Sequence, residues 1–141
     1  MKRDLMNNIH PVVAIAPVVV TDGTAQTSAA IDVRNYKSVT FVILLGTLAD
    51  ADATWTVEVL EGPTSTQGDH TAVADKNLLG TEALAGFQFD NDGECRKVGY
   101  VGDADYVSIE IDDDTANSGA APMAVVMIAE PYERPTSNPP A

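Results

Sequence analysis

The sequence contains little of what most catalytic and metal centres use. It has one cysteine, Cys95, and two histidines, His10 and His70, among 141 residues. A single thiol cannot form a disulfide within the chain, which predicts folding in a reducing compartment. A nucleophile needs a base held by a third group, and no spacing indicates a Cys95–His70 pair. We therefore predict that the protein is not an enzyme and has no catalytic, cofactor-binding or metal-binding residues.

Basic residues are also scarce. Eight Lys and Arg stand against 21 Asp and Glu, for a formal net charge of −13, and the basic residues are spread along the chain. Nucleic-acid binding requires Lys and Arg to neutralise phosphates, and an anionic membrane surface would repel this charge. We predict neither nucleic acid nor a membrane among the partners.

Long apolar runs are missing. No stretch reaches the roughly 18 to 20 apolar residues that a membrane span requires. An apolar run follows Lys2 and Arg3, as in a signal peptide, but Pro11 and Pro17 interrupt it. We expect a soluble protein that retains its N-terminal segment.

Acidic residues, by contrast, form two clusters. These are the pair Asp50 and Asp52 and the run Asp112-Asp113-Asp114. Hard cations bind clustered carboxylates, but the spacing does not match an EF-hand loop. We interpret both clusters as solvated loops that keep strand edges from pairing.

Alternation of apolar and polar residues predicts an all-β fold. In Thr54–Leu60, the side chains of Trp55, Val57 and Val59 point one way and polar residues the other, as in a strand with one buried face. Ser38–Leu45 is apolar on both faces, so we expect a second sheet or a neighbouring subunit to cover it. No stretch shows convincing helical periodicity. The other predicted strands are Ala25–Val33, His70–Asp75, Gly86–Asp90, Arg96–Val101, Asp105–Ile111 and Met123–Ala129.

Short strands separated by Gly, Asn and Asp turns favour a sandwich or a small barrel. We predict a β-sandwich, with the jelly-roll type as its more specific form, in which Arg96–Val101 and Asp105–Ile111 form a hairpin. Residues 25–130 would form this domain. An N-terminal arm or edge strand at 1–24 would precede it, and an extended, Pro-rich tail at 131–141 would follow.

The apolar segment Pro11–Val20 (PVVAIAPVVV) fits an edge strand or an extended arm, because each proline removes a backbone donor. Left exposed, it would be an aggregation hazard. It therefore either belongs to the sandwich or docks on another chain. We predict that deletion of Met1–Val20 leaves a soluble fold.

Candidate contact residues come from this segment and from the tyrosines. Trp55 alternates with valines, which favours a core position over a sugar-binding platform. Tyr36 and Tyr106 fit surface contacts better, because a tyrosine ring has an apolar body and a polar tip. The predicted interface residues are Val12, Val13, Ile15, Val18, Val19, Val20, Tyr36 and Tyr106.

Five segments together resemble a known group of proteins. In chain order they are VVAIAP, IDVRNYKSVTFVILLGT, TWTVEVLEG, VADKNLLG and KVGYVGDADYVSIEI. This succession resembles the small virion proteins of tailed bacteriophages that are encoded among head genes. The resemblance implies a capsid decoration (cement) protein that binds the outer head surface and stabilises the shell. It implies folding in the host cytoplasm, location on the virion, and as partners the major capsid protein and further copies of itself, with a trimer favoured.

Two other functions remain open on the sequence. One is a head–tail connector, neck or tail component of the same virion. The other is a β-sandwich module that binds host glycans.

Overall fold

The computed structural model describes residues 1–113 and 118–140. Within these ranges the chain forms eleven strands, one α-helical turn and three short 3-10 turns. The strands are β1 (His10–Val20), β2 (Gln26–Thr27), β3 (Ile31–Asp32), β4 (Tyr36–Leu45), β5 (Thr54–Gly62), β6 (Thr71–Ala72), β7 (Leu78–Leu79), β8 (Phe87–Gln88), β9 (Cys95–Tyr100), β10 (Tyr106–Asp113) and β11 (Ala121–Pro131). The helix α1 is Glu82–Ala85, and the 3-10 turns are Met6–Asn8, Gln67–Asp69 and Asp75–Asn77.

The strands form two antiparallel sheets that pack face to face. Sheet A has the order β1-β11-β4-β9-β7, and sheet B has the order β2-β10-β5-β6, with β3 also beside β10 and β8 beside β5. The long strands change sheet at each step from β4 to β5 and from β9 to β10 to β11. With β2 and β3 sharing one position and β6 and β8 another, this is the two-sheet jelly-roll order. The predicted all-β sandwich is confirmed, in its jelly-roll form.

The core lies between the sheets and follows the predicted alternation. Trp55 and Val59 on β5 are buried, whereas Thr56 and Glu58 between them are exposed. The ring of Trp55 stacks on that of Phe87, with centroids 5.9 Å apart. Trp55 is therefore a core residue, as its spacing predicted.

Side chains complete both edges of sheet B where short strands leave gaps. On one side, the Ser28 hydroxyl accepts a hydrogen bond from the Ile109 backbone N–H at 3.0 Å, between β2 and β3. On the other, the Glu82 carboxylate accepts from the Val59 N–H at 2.7 Å. Buried backbone donors need such partners, so these two side chains act as parts of the sheet.

The predicted hairpin of Arg96–Val101 and Asp105–Ile111 is wrong. β9 pairs with β4 and β7 in sheet A, while β10 pairs with β5 in sheet B. The segment between β9 and β10 therefore crosses from sheet A to sheet B. Two contacts hold it in place: the Val33 N–H donates to the Asp105 carbonyl, and Gly102 packs against the Tyr100 hydroxyl. Each strand can then bury its own apolar face in the common core.

Three predicted strands are shorter than expected. Of Ala25–Val33, only Gln26–Thr27 and Ile31–Asp32 are strands. Only Phe87–Gln88 of Gly86–Asp90 pairs with β5, and Phe89 is 42% exposed. The Gln88 N–H donates to the Asn91 side chain and closes a turn there. In the segment His70–Asp75, only Thr71–Ala72 is a strand.

The apolar N-terminal segment forms an edge strand of the sandwich. β1 pairs with β11 from His10 to Val20, and two register shifts interrupt the ladder near Ile15. Ile15 and Val20 are buried in the core. Deleting Met1–Val20 would therefore remove part of the core, and we no longer expect it to leave the fold intact.

The C-terminal segment folds back on the N-terminal turn. After β11, the Arg134 guanidinium donates to the Asn8 side chain at 2.6 Å. The Thr136 N–H donates to the Asn7 carbonyl at 3.2 Å. The two ends of the chain thus meet beside sheet A.

Candidate functional site

The outer surface of sheet A carries apolar side chains where a solvated sheet face would carry polar ones. On β11, the buried residues from Ala121 to Ala129 alternate with half-buried ones that point outward. On β4, buried Val39 to Leu45 alternate likewise with outward residues, of which Leu44 is 48% exposed. We call this surface the apolar outer face. It comprises Pro11, Val13 and Val19 of β1, Thr40, Val42 and Leu44 of β4, Leu79 of β7, Cys95, Lys97 and Gly99 of β9, and Pro122, Ala124, Val126 and Ile128 of β11.

Strand register places these side chains in continuous rows. Val13 lies opposite Val126, which lies opposite Val42, and Val42 in turn lies opposite Lys97. Facing side chains on neighbouring strands contact one another. The rows therefore merge into one apolar surface across four strands.

The face is also nearly free of charge. Lys97 is the one charged residue among its members and none is acidic, although the chain contains 21 acidic residues. The next outward position on β11 is Glu130, which forms an ion pair with Arg134 and marks the end of the face. A chain of net charge −13 thus has no carboxylate among the residues of the apolar outer face.

The outer surface of sheet B has the opposite character. Glu58 on β5 lies directly opposite Glu110 on β10, and Asp112 lies opposite Thr56. Like charges facing each other across strands are destabilising. The sandwich is therefore polarised, with one apolar and one acidic face.

The structure divides the predicted interface residues of β1. Val13 and Val19 are 66% and 56% exposed on the apolar outer face. Val12 and Val18 are half-buried and pack against the core. Ile15 and Val20 are buried in the core, which corrects their assignment as interface residues. The register shifts on either side of Ile15 turn its side chain inward, whereas Val20 follows the same alternation as Val12 and Val18.

The other two predicted residues lie away from that face, near one ion pair. The Arg34 guanidinium binds the Asp32 carboxylate at 2.6 Å and lies 5.4 Å from the centre of the Tyr106 ring. Tyr36 is half-buried against His10, with ring centroids 5.6 Å apart. Burial raises the pKa of Tyr36, and the hydrogen bond from Arg34 lowers that of Asp32. Tyr36 and Tyr106 thus lie in a polar region at the end of the sandwich.

His70 and Cys95 lie at different sheets and do not form a pair. His70 places Nδ1 2.9 Å from the Ser108 hydroxyl and Nε2 3.0 Å from the Thr64 carbonyl. Ser108 is fully buried, so this pair has no opening for a substrate and joins β10 to a loop. Cys95 lies in the other sheet and is exposed.

The acidic loops organise their own backbone. The Asp50 carboxylate accepts a hydrogen bond from the Ser118 N–H at 2.9 Å, which is the main reason that its pKa falls to about 2. The hydrogen bond with Asp50 raises the pKa of Asp52. In the ranges 1–113 and 118–140, no group of three His, Cys, Asp or Glu side chains could hold a metal ion. The predicted acidic run ends at Asp114, which lies outside the described residues.

Sequence reasoning detected part of the apolar outer face. The apolar character of both faces of β4 was a correct signal, but it did not show which face stays open. We expected a second sheet or a neighbouring subunit to cover the second face of β4, and β1 does not cover it, because β1 lies beside β11 in the same sheet. Cys95 and Lys97 were missed because the partner of β9 was assigned wrongly.

No protein-family model matches the sequence, and no curated protein matches it. Among solved structures, the chain is similar to the CBM22-1–GH10 modules of xylanase 10B from Clostridium thermocellum, complexed with xylohexaose (TM-score 0.51, 8% identity, 89% of this chain and 26% of that chain). It is similar to the T13 particle of IBDV, infectious bursal disease virus (TM-score 0.50, 14% identity, 87% of this chain and 31% of that chain). A further similar structure is the SPBc2 prophage-derived protein YomS (TM-score 0.48, 12% identity, 86% and 92%).

The similarities to the xylanase modules and to the IBDV particle show a shared sandwich fold. This chain spans about a quarter to a third of the xylanase and IBDV chains that it matches. Within the described residues, no helix is long and apolar enough to cross a membrane.

Proposed function

We propose that this protein is a non-enzymatic structural component of a phage virion, a capsid decoration protein that binds the outer head surface and stabilises the shell. One observation carries the proposal: a chain of charge −13 has an open sheet face with no carboxylate on it. Contiguous exposed apolar patches of this kind mark interaction sites in soluble proteins.

The acidic face of sheet B complements this role. Decoration places many copies close together on one shell, where each copy needs a well-hydrated outer surface. Carboxylates such as Glu58 and Glu110 keep that surface hydrated and make neighbouring copies repel each other. The apolar face would then be directed at the assembly and the acidic face at solvent.

The fold and the sequence resemblance support the setting. The chain resembles tailed-phage virion proteins in five segments, and its sandwich is a fold also found in the IBDV particle. The partners that we propose are the major capsid protein and a second copy of this chain. The exposed thiol of Cys95 fits folding in the reducing host cytoplasm before assembly.

The two alternatives differ from decoration in measurable ways. A connector, neck or tail component would also need an apolar contact face, so only its copy number distinguishes it. A glycan-binding module is the weaker proposal, because Trp55 is 1% exposed and cannot act as a stacking platform.

The test is a sedimentation assay with purified shells that lack this protein. We expect wild-type protein to sediment with the shells and to saturate at a copy number, counted by mass spectrometry, that follows the number of lattice positions. A count limited to one ring per particle would replace decoration by the neck function. No sedimentation with intact shells would exclude decoration.

A further inference from the structure

The apolar outer face is large enough to form a specific interface with a matching surface. Strands lie about 4.8 Å apart and rise about 3.3 Å per residue, so the four long strands present roughly 500 Å² per copy. Two such faces would bury about 1,000 Å², near the lower limit for specific protein interfaces. A face of this size therefore suits a modest, reversible association.

Charge restricts how two copies of this chain can approach. Each carries −13, and its sheet B surface presents Glu58, Glu110 and Asp112. Contact through that surface would bring carboxylates together. Contact through the apolar outer face directs both acidic surfaces outward, on the far sides of two sandwiches. Screening over about 8 Å at physiological ionic strength then removes most of the remaining repulsion.

Association through the edge of sheet A is disfavoured. β1 is the exposed edge strand, and it contains Pro11, Pro17 and two irregularities in its register. Prolines and bulges are the features that prevent edge-to-edge pairing of sheets. The face of sheet A is therefore more suitable for self-contact than its edge.

We propose that the apolar outer face is covered by the same face of a second copy, which gives a two-fold symmetric dimer of stacked sheets. A two-fold interface pairs a surface with itself, so an apolar centre meets an apolar centre. Val42, Leu44 and Val126 on the middle strands β4 and β11 form that centre. Lys97 lies on β9, towards one side, where its long side chain can keep the ammonium group in water.

Lys97 also selects between the two ways of stacking the faces. One two-fold arrangement places β9 of one copy over β9 of the other and brings the lysines together. The other places β9 over the partner's β1 and separates them. We infer the second arrangement, because like charges in a contact oppose binding.

Analytical ultracentrifugation of the full chain over a concentration series tests the dimer. We expect a monomer–dimer equilibrium that strengthens as sodium chloride rises, since salt screens repulsion between the acidic copies. Leu44→Lys should weaken the dimer by at least about tenfold, because it buries an unpaired charge at the centre. Val13→Lys provides a second test near the rim. Thr56→Lys adds the same charge on sheet B and should leave the dimer intact.

The thiol of Cys95 provides a second measurement. It lies opposite Leu44 on the same face, so its alkylation should slow as the wild-type protein concentration rises and should not slow in Leu44→Lys. A wild-type monomer at every concentration, a trimer by mass, or a dimer that survives both Leu44→Lys and Val13→Lys would overturn the proposal. Circular dichroism of each variant identifies unfolding.

In the dimer the apolar outer face is unavailable to the shell, so the dimer is proposed for the free protein and must dissociate before that face binds the shell. The inference can therefore fail separately from the proposed function. A monomer that sediments with shells would mean that only the dimer is wrong. A dimer that ignores shells would leave the inference standing and exclude decoration.

Discussion

The Tyr100 hydroxyl donates a hydrogen bond to the Glu61 carboxylate and so joins the two sheets, since Tyr100 lies on β9 of sheet A and Glu61 on β5 of sheet B. The same hydroxyl accepts a hydrogen bond from the Ala104 N–H at 3.0 Å. The connection that crosses between the sheets is therefore built around one phenol. Gly102 packs so closely that a Cβ at its position would lie 2.4 Å from this oxygen.

Tyr100→Phe should lower the free energy of unfolding by about 1 to 3 kcal/mol, because it removes a hydrogen bond to a charged group and leaves polar partners without it. Urea unfolding measures the change. Tyr106→Phe is the matched control, since the Tyr106 hydroxyl makes, among the described residues, only a long contact of 3.4 Å with Arg34 at the surface. Equal effects of the two substitutions would show that the hydrogen bond between Tyr100 and Glu61 does not contribute to the free energy of unfolding.

The same residue predicts a loss of stability in alkali. Burial, and then the hydrogen bond to Glu61, raise the pKa of Tyr100 well above its ordinary value. A raised folded-state pKa gives stability that is complete below the unfolded value of about 10 and is lost as the pH rises above it. Tyr100 should ionise above the ordinary range of a tyrosine in a spectrophotometric titration. Tyr100→Phe should remove that late step, and its persistence would contradict the assignment.

Asp50 and Asp52 should titrate in a definite order. The Ser118 N–H lowers the pKa of Asp50 to about 2, whereas Asp50 raises that of Asp52. The contribution of Asp50 to stability is present above its ordinary pKa of 3.8 and is lost as the pH falls towards 2. NMR of the side-chain carboxyl carbons should show Asp52 protonating first on acidification. Coincident midpoints would mean that Ser118 does not hold the Asp50 carboxylate.

Glu82 should matter more to the sheet than its exposed helix suggests. Its carboxylate accepts from the backbone N–H of fully buried Val59. Glu82→Ala should cost about 1 to 3 kcal/mol in urea unfolding, because a buried donor loses its partner. Glu82→Gln keeps an acceptor oxygen at that place and should cost clearly less. If Glu82→Ala and Glu82→Gln cost the same, the hydrogen bond accepted by the side-chain oxygen of residue 82 does not stabilise the sheet.

The sequence predicted local alternation well and long-range pairing poorly. The buried face of β5, with Trp55 at its start, follows from a period of two that neighbouring residues set by themselves. The sheet that β9 and β10 join depends on distant strands, so adjacency in sequence falsely suggested a hairpin. In β4, apolar residues on both faces do not tell whether the second face is covered by another strand or open to solvent. The position of β1 beside β11, which only the structure shows, leaves that face open.

A substitution at one position on the acidic surface of sheet B should stabilise the fold, because Glu58 on β5 lies directly opposite Glu110 on the neighbouring strand β10. Glu58→Lys replaces a repulsive cross-strand pair by an attractive one, which should raise the free energy of unfolding by about 0.2 to 1 kcal/mol. The gain should shrink in high salt, since both side chains are at the surface. Glu133→Lys changes the net charge equally at an exposed position beyond the last strand. If both variants gain equally, the benefit comes from lower overall charge and not from this pair. A gain confined to Glu58→Lys would mean that the protein retains a locally unfavourable carboxylate pair on its acidic surface, as expected if that surface must stay negative towards solvent.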